Sequence, residues 1–252
     1  MIPRLPGRLK YGWAFFDRVY CISLEERTDR RRQAETQFKA VGLSQLVEFV
    51  LVDRHPHNSE QGIYQSHLTC IEKGLVSGAD NILIFEDDVF FQRFSAESLS
   101  TCTAFLAGNP DWKAFFLGCL VQRSRKTGYP SIRSVTYRSL AHAYAVNRPF
   151  AEVLATKPWQ GVPYDAMLRR HAGGFFAIYP SVAFQSDSPS DNARHRWLDR
   201  FRRWCGGLAR IQRANEWCHR YGRLLVVLHV LGLAAIVILA VWICRFPLLS
   251  GL

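Results

Sequence analysis

Residues 82–91 read ILIFEDDVFF. Glu86, Asp87 and Asp88 stand side by side in a run whose other members are apolar. Ionised carboxylates this close repel, and burying them is costly unless positive charge offsets theirs. Asn81 to Phe85 predicts a strand, so the three carboxylates follow the carboxyl end of a strand.

Working outward, Arg18 to Leu24, RVYCISL, predicts an earlier strand. Thr28 reads as the N-cap of a helix through Val41, with Ala34, Phe38 and Val41 on one face and Gly42 as the stop. Glu48 to Val52 predicts a second strand. Ile63 to Leu75 predicts a helix whose buried stripe is Tyr64, Leu68, Ile71 and Leu75. Strand–helix–strand–helix–strand implies an α/β fold with a parallel sheet and right-handed crossovers. Ligands gather beyond the carboxyl ends of such strands. A divalent cation at the edge of a ligand crevice is therefore the expected partner of the acidic triplet. Further on, short strands are expected near 113–117, 134–137 and 142–146, a helix from Pro149, another over Tyr164 to His171, and a last strand over Phe175 to Tyr179.

A hard ion such as Mg²⁺ or Mn²⁺ prefers carboxylate and phosphate oxygens. Glu86 and Asp88, at alternating positions, can approach one ion while substrate phosphates complete its shell. An isolated E-D-D is otherwise an ordinary solvated turn, so the reading rests on what accompanies it.

Several blocks accompany it. Val19 to Arg30, VYCISLEERTDR, resembles the opening of glycosyltransferase family 25, the lipopolysaccharide-type and collagen-type glycosyltransferases, with Ser23 where asparagine is usual. Gly62 to Leu68, GIYQSHL, resembles that family's G-x-x-x-S-H block, and ILIFEDDVFF its metal-binding acidic block. His142 to Val146, preceded by Ala141 where glycine is common, resembles its G-T-x-x-Y segment. Val162 to Asp165, VPYD, resembles its P-x-D block, and Tyr179-Pro180 through Ser190-Asp191 its closing segment. The blocks keep the family's order over about residues 17 to 192.

The resemblance implies a GT-A-like, Rossmann-type nucleotide-sugar-binding domain, a nucleotide-sugar donor as co-substrate, and inverting transfer to a glycan or lipid-linked saccharide acceptor. It implies Glu86, Asp87 and Asp88 as metal-binding residues. Arg27 and Arg30 would meet the diphosphate or nucleotide; the alternative is a solvated helix start. Ser66 and His67 would face the donor from early in a helix, helped by its dipole; His67 alternatively packs in the core. Asp53 would hydrogen-bond the ribose or base. Asp165 is the first choice for the base that takes the acceptor's proton, with Asp187 and Asp191 as alternatives. His195 is the nearby candidate for a late metal-shell histidine.

The chain has 252 residues, 48% of them hydrophobic, and a formal net charge of +11. That balance favours a polyanionic partner. Seven cysteines, with no C-x-x-C pair, argue against a zinc site and a disulfide framework. A reducing compartment fits. The N-terminal stretch lacks the apolar run of a secretory signal. Leu224 to Cys244 carries no formal charge and is long enough for a hydrocarbon core of roughly 30 Å. The arginine-rich stretch before it, with Trp197, Phe201, Trp204, Leu208 and Ile211 on one face, reads as an interfacial helix on an anionic membrane rather than a nucleic-acid surface, with Gly206-Gly207 as a possible break.

The expected organisation is a catalytic domain over 15–192, a basic amphipathic segment over 193–223 and a single transmembrane helix over 224–246. Arginines on the N-terminal flank of the span place the domain in the cytoplasm by the positive-inside rule. The leading function is a metal-dependent glycosyltransferase. A non-catalytic glycan- or membrane-binding relative is the alternative, and a metal-dependent phosphotransferase or nuclease the third reading. No G-x-x-x-x-G-K-[ST] loop is present, which removes the P-loop class.

Overall fold

The computed structural model describes residues 11–171, 173–186 and 206–245. Its first half follows the sequence closely. β1 (Arg18–Leu24), α1 (Thr28–Ala40), β2 (Val47–Val52), α2 (Ser59–Val76) and β3 (Asn81–Glu86) alternate as expected. β1 pairs parallel with both β2 and β3.

Two helix starts differ from expectation. Thr28 lies inside α1; Arg27 is the capping residue, without a side-chain cap bond. Its guanidinium instead grips Asp29 in the first turn, with both bonds at 2.9 Å. α2 begins a turn before Ile63, because Asn58 accepts bonds from the backbone N–H groups of Glu60 and Gln61 at 3.1 and 3.3 Å. Gly42 stops α1 as expected, with φ at +78°.

The rest of the sheet, where the sequence suggested only loose strands, is antiparallel except for one parallel pair, β5 with β9. β4 (Val89–Phe91), α3 (Ala96–Ala107), β5 (Ala114–Phe116), β6 (Leu120–Lys126), β7 (Ile132–Ser139) and β8 (Ala143–Asn147) follow. Then come α4 (Arg148–Ala155), α5 (Tyr164–Leu168), β9 (Phe175–Ile178) and β10 (Ala183–Gln185). The main sheet has the order β2-β1-β3-β8-β5-β9-β7-β6, and β10 pairs with β4 in a separate ribbon. β8 runs antiparallel to both β3 and β5. So the parallel sheet expected from the first half gives way to a mixed one. β6 and β7 pair antiparallel across a short connection, which needs no crossover helix.

Apolar side chains cover both faces of this sheet. α2, α4 and α5 pack on one face through Tyr64, Ile71, Leu154, Tyr164 and Leu168. α1 and α3 pack on the other through Ala34, Phe38, Leu99, Cys102 and Leu106. Cys21, Cys70, Cys102 and Cys119 are free and buried, as small core residues.

The final helix, α6 (Leu208–Arg245), starts directly after Gly206 and Gly207, both at positive φ. Residues 193–205 of the expected amphipathic segment lie outside the described residues. From Leu208 onward the helix docks on the domain. The reason is polar. β6 is an edge strand, and the Asn215 amide fills the place of a missing neighbour: it accepts from Val121 N–H at 2.9 Å and donates to Val121 C=O at 3.0 Å. Gln212, 1% exposed, donates to the Ala183 carbonyl at 2.9 Å. Glu216 accepts from Ser181 N–H at 3.2 Å and from Arg93 at 3.3 Å. Beyond these turns, Leu224–Trp242 is long and apolar enough to cross a membrane, with mean hydropathy 3.0 and none of it buried in the protein.

Gly118 sits where α6, β10 and β5 converge. A Cβ there would fall 1.8 Å from the Ala183 carbonyl oxygen and 2.7 Å from Gln212 Nε2. Gly118→Ala is therefore expected to destabilise the domain by about 1–3 kcal/mol, the usual range for overpacking. Thermal unfolding of the detergent-solubilised chain would read this, and an unchanged midpoint would contradict the packing described.

Candidate functional site

The three carboxylates end up with three different environments. Asp87 points into the protein at the end of β1. It accepts a 2.7 Å bond from Ser23 Oγ and lies 3.4 Å from Arg30 Nη1. Asp88, 9% exposed, lies 3.8 Å from the same Nη1 and accepts a 3.0 Å bond from Gln185 Nε2. Its Oδ1 is buried and has no hydrogen-bond partner among the described residues. Glu86 keeps 29% of its side-chain surface exposed, 3.5 Å from His67 Nε2 and 3.4 Å from Gln185 Nε2.

Arg30 is thus the positive charge that sits against the acidic turn. It comes from the buried face of α1, alongside Ala34 and Phe38. The sequence suggested that it would meet a diphosphate; its guanidinium here engages Asp87 and Asp88. One guanidinium against three carboxylates leaves negative charge over. Burial pushes the Asp88 carboxyl up to about 7, with Glu86 adding to the effect and Arg30 opposing it. Burial, then Asp165 and Asp87, push Glu86 up to about 8. Asp87 is raised too, by burial, against the opposing pull of Ser23 and Arg30.

Gln185 reaches the cluster because β10 pairs with β4, which sets Gln185 opposite Val89. Sequence reasoning gave this residue no role. The pairing joins segments far apart in the chain, and each strand is only three residues long, so no local pattern marks it.

His67 is 1% exposed and stacks on the Tyr164 ring at 4.2 Å with an 8° tilt. Its Nδ1 lies 3.2 Å from Tyr144 Oη, which meets Tyr164 Oη at 2.7 Å. Burial lowers its pKa to about 4, so it is neutral at pH 7. Ser66 donates to the Gly62 carbonyl one turn back, at 2.7 Å. Because α2 starts at Ser59, Ser66 and His67 lie two turns in, and the expected help from the helix's N-terminal dipole does not reach them.

Asp165, in the first turn of α5, accepts a hydrogen bond from Tyr137 Oη. It also accepts from Leu140 N–H at 3.0 Å and Ala141 N–H at 3.2 Å. Leu140 has φ at +75°, so this carboxylate pins the unusual turn between β7 and β8. Two of the three donors bond Oδ1, which leaves Oδ2 with one open acceptor position. The charge of Asp165 acts on both Glu86 and His67. Asp53 is exposed just past β2, and Arg27 holds Asp29. Asp187, Asp191 and His195 lie outside the described residues.

Among the described residues, no three His, Cys, Asp or Glu side chains converge closely enough to form a protein-only metal cage. The donor set nonetheless suits a hard divalent ion that takes most of its shell from substrate and water. Glu86 and Asp88 are bridged by one glutamine, and Asp88 Oδ1 is an unmatched buried acceptor. Asp87 fits that role less well, since both its oxygens are engaged.

No family model and no curated protein matches the chain in sequence. Among solved structures it is similar to A197 from STIV, at 13% identity and TM-score 0.45, over 67% of this chain and 85% of that one. It is similar to a glycosyltransferase involved in glycosylation of the major capsid of PBCV-1, at 12% and 0.41, over 73% and 99%. It is also similar to a UDP-glucose pyrophosphorylase complexed with UDP-glucose, at 10% and 0.39, over 66% and 75%.

Two outcomes test the site's electrostatics. Arg30→Ala removes the guanidinium that faces Asp87 and Asp88 in the buried acidic turn and should cost roughly 3 kcal/mol, as broken buried pairs do. Adding Asp87→Asn should recover much of that loss in a double-mutant cycle. For pH, carboxylates raised in the folded state stabilise it at low pH and lose that contribution as pH rises through about 7 and 8. His67 and His142, lowered to about 4, act oppositely, and their contribution is lost as pH falls from about 6.5. Between pH 6.5 and 8 the carboxylates dominate. The metal-free protein should therefore melt at lower temperature at pH 8 than at pH 6.5, and Mn²⁺ should narrow the gap.

Proposed function

We propose that the chain is a membrane-anchored, metal-dependent glycosyltransferase of GT-A type. It would move a sugar with inversion from a nucleotide-sugar donor to a glycan or lipid-linked saccharide. The observation that carries this reading is the acidic turn after β3. There Glu86 and Asp88 share Gln185, and Asp88 Oδ1 lacks a partner among the described residues. The ordered blocks that resemble family 25 support the same reading.

A bound Mg²⁺ or Mn²⁺ would offset charge developing on the departing nucleoside diphosphate. Glu86 and Asp88 would hold it, with Gln185 fixing their orientation. Asp87 would anchor the turn through Ser23 and Arg30 rather than bind the ion. In the transfer, the acceptor oxygen forms a bond to the sugar's anomeric carbon as the bond to the diphosphate oxygen breaks. The acceptor proton passes to a carboxylate. We assign that role to Asp165 through the open position on Oδ2, with Asp187 and Asp191 as alternatives. His67, neutral and stacked on Tyr164, would shape the wall beside Glu86. Arg27 and Asp53, near the ends of β1 and β2, would contact the nucleotide.

Leu224–Trp242 would cross the bilayer, with the domain on the cytoplasmic side, where nucleotide sugars are made. Anionic lipid would be its membrane partner, and nucleic acid would not be one.

A screen of nucleotide sugars with Mn²⁺, reading released nucleoside diphosphate, tests the reading. One donor should be turned over, and Asp88→Asn should lower that turnover at least 100-fold with little change in melting temperature. Near-normal turnover in this variant at moderate Mn²⁺ would remove the metal assignment. Asp165→Asn should reduce kcat far more than donor affinity. A parallel collapse of donor affinity and melting temperature would make Asp165 a turn anchor only. A chain ending at Arg223 keeps the docked turns of α6, so it should be more soluble and still hydrolyse the donor.

A further inference from the structure

α6 is one continuous helix whose first part is bolted to the domain and whose last part is bare and apolar. Gln212, Asn215, Glu216 and His219 fix those first turns against β10, the segment before it, and β6. Gly118 permits the close approach, since any Cβ there would strike both Ala183 and Gln212. The bolt is also next to the chemistry. Gln212 holds the Ala183 carbonyl, and Gln185, two residues further along β10, touches Asp88 and Glu86.

This geometry has a length scale. At about 1.5 Å per residue, the helix axis runs about 18 Å from Gln212 to Leu224, where the apolar stretch begins. From His219, the last docked residue, it runs only about 8 Å to the same point. No loop intervenes, so the domain has no slack with which to approach or leave the bilayer.

We propose that α6 is a ruler. It holds the acidic site on the order of 20 Å above the hydrocarbon edge, and so selects lipid-borne acceptors whose reactive sugar stands at that height. This rests on the glycosyltransferase reading above. The headgroup layer takes up about 5–8 Å of that distance. The reactive end must then project on the order of 10 Å beyond the headgroups, and a helix tilt of about 20° changes this little. A single sugar attached directly at the lipid phosphate is too short. The acceptor class is a glycolipid that already carries a short glycan.

The test varies the ruler and leaves the site alone. A seven-residue alanine-rich helical segment is inserted between Gly222 and Arg223. It lengthens the stem by about 10 Å and restores the rotation to within about 20°. A second variant carries seven glycine and serine residues at the same place, which replaces the rigid stem by a flexible one. Glycolipids extracted from the source membranes are reconstituted with each protein in phosphatidylcholine–phosphatidylglycerol vesicles. The same glycans, released from lipid, serve as soluble acceptors.

The helical insertion should lower labelled-sugar transfer to vesicle glycolipid at least 10-fold. Donor hydrolysis and transfer to released glycan should stay within about twofold of the parent chain. The flexible insertion should retain most vesicle activity and accept shorter glycolipids that the parent chain does not use. Equal vesicle activity in the helical variant and the parent, or equal losses in both insertions, would overturn the ruler while leaving the glycosyltransferase intact. Absence of nucleoside diphosphate release from the parent chain with every donor would overturn both.

Discussion

Negative charge at the end of β3 has to be offset inside the fold, and Arg30 is where that starts. Its guanidinium stands 3.4 Å from Asp87 and 3.8 Å from Asp88, on the buried face of α1. Ser23, on β1, adds a neutral hydrogen bond to Asp87. Two consecutive elements of the parallel unit thus close on the turn that follows the third. An ion pair of this kind gains little net stability against an apolar replacement, yet losing one partner is expensive. The acidic turn therefore ties β1, α1 and β3 into one arrangement.

The charge that Arg30 does not cancel gives the site its chemistry. Asp88 and Glu86 are held with raised proton affinity and share a single amide, that of Gln185. A protein stabilised only by packing would have no reason to keep a buried Asp88 Oδ1 without a donor among the described residues, because each such group costs free energy. In the proposed function, a bound cation would supply the missing partner. The neighbouring His67, Tyr144 and Tyr164 behave differently. They satisfy one another by stacking and hydroxyl contacts, and form a stiff neutral wall beside the acidic opening.

Gln185 also links the site to the helix that leaves the domain. β10 is held on one side by β4, and its Ala183 carbonyl is held by Gln212 of α6. A strand of three residues has little stability alone. Its position therefore depends on the helix, and the helix's direction depends on the polar bonds from Asn215, Glu216 and His219. The geometry of the acidic turn and the direction of α6 become one structural property.

Sequence alone was sufficient for what is encoded locally. The apolar strands β1, β2 and β3, the stripe of α2 and the Gly42 stop each lie within one short window, and chain order then forces the parallel unit. The nineteen-residue apolar stretch in α6 was equally legible, because length and hydropathy are local properties. The stripe of α3, with Leu99, Cys102, Thr103 and Leu106 buried, was present too, and its serines and threonines masked it as helix. Tertiary structure decided everything that depends on a partner distant in the chain. It paired Arg30 with carboxylates 57 and more residues away and brought in Gln185 from 97. It gave Asp165 the Leu140–Ala141 turn to hold, and it made the start of α6 a brace on β6 and β10. The physical reason is the same in each case. Burial and periodicity are written into neighbouring residues, whereas the partner that satisfies a buried charge or an open strand edge is fixed only when the chain has folded back on itself.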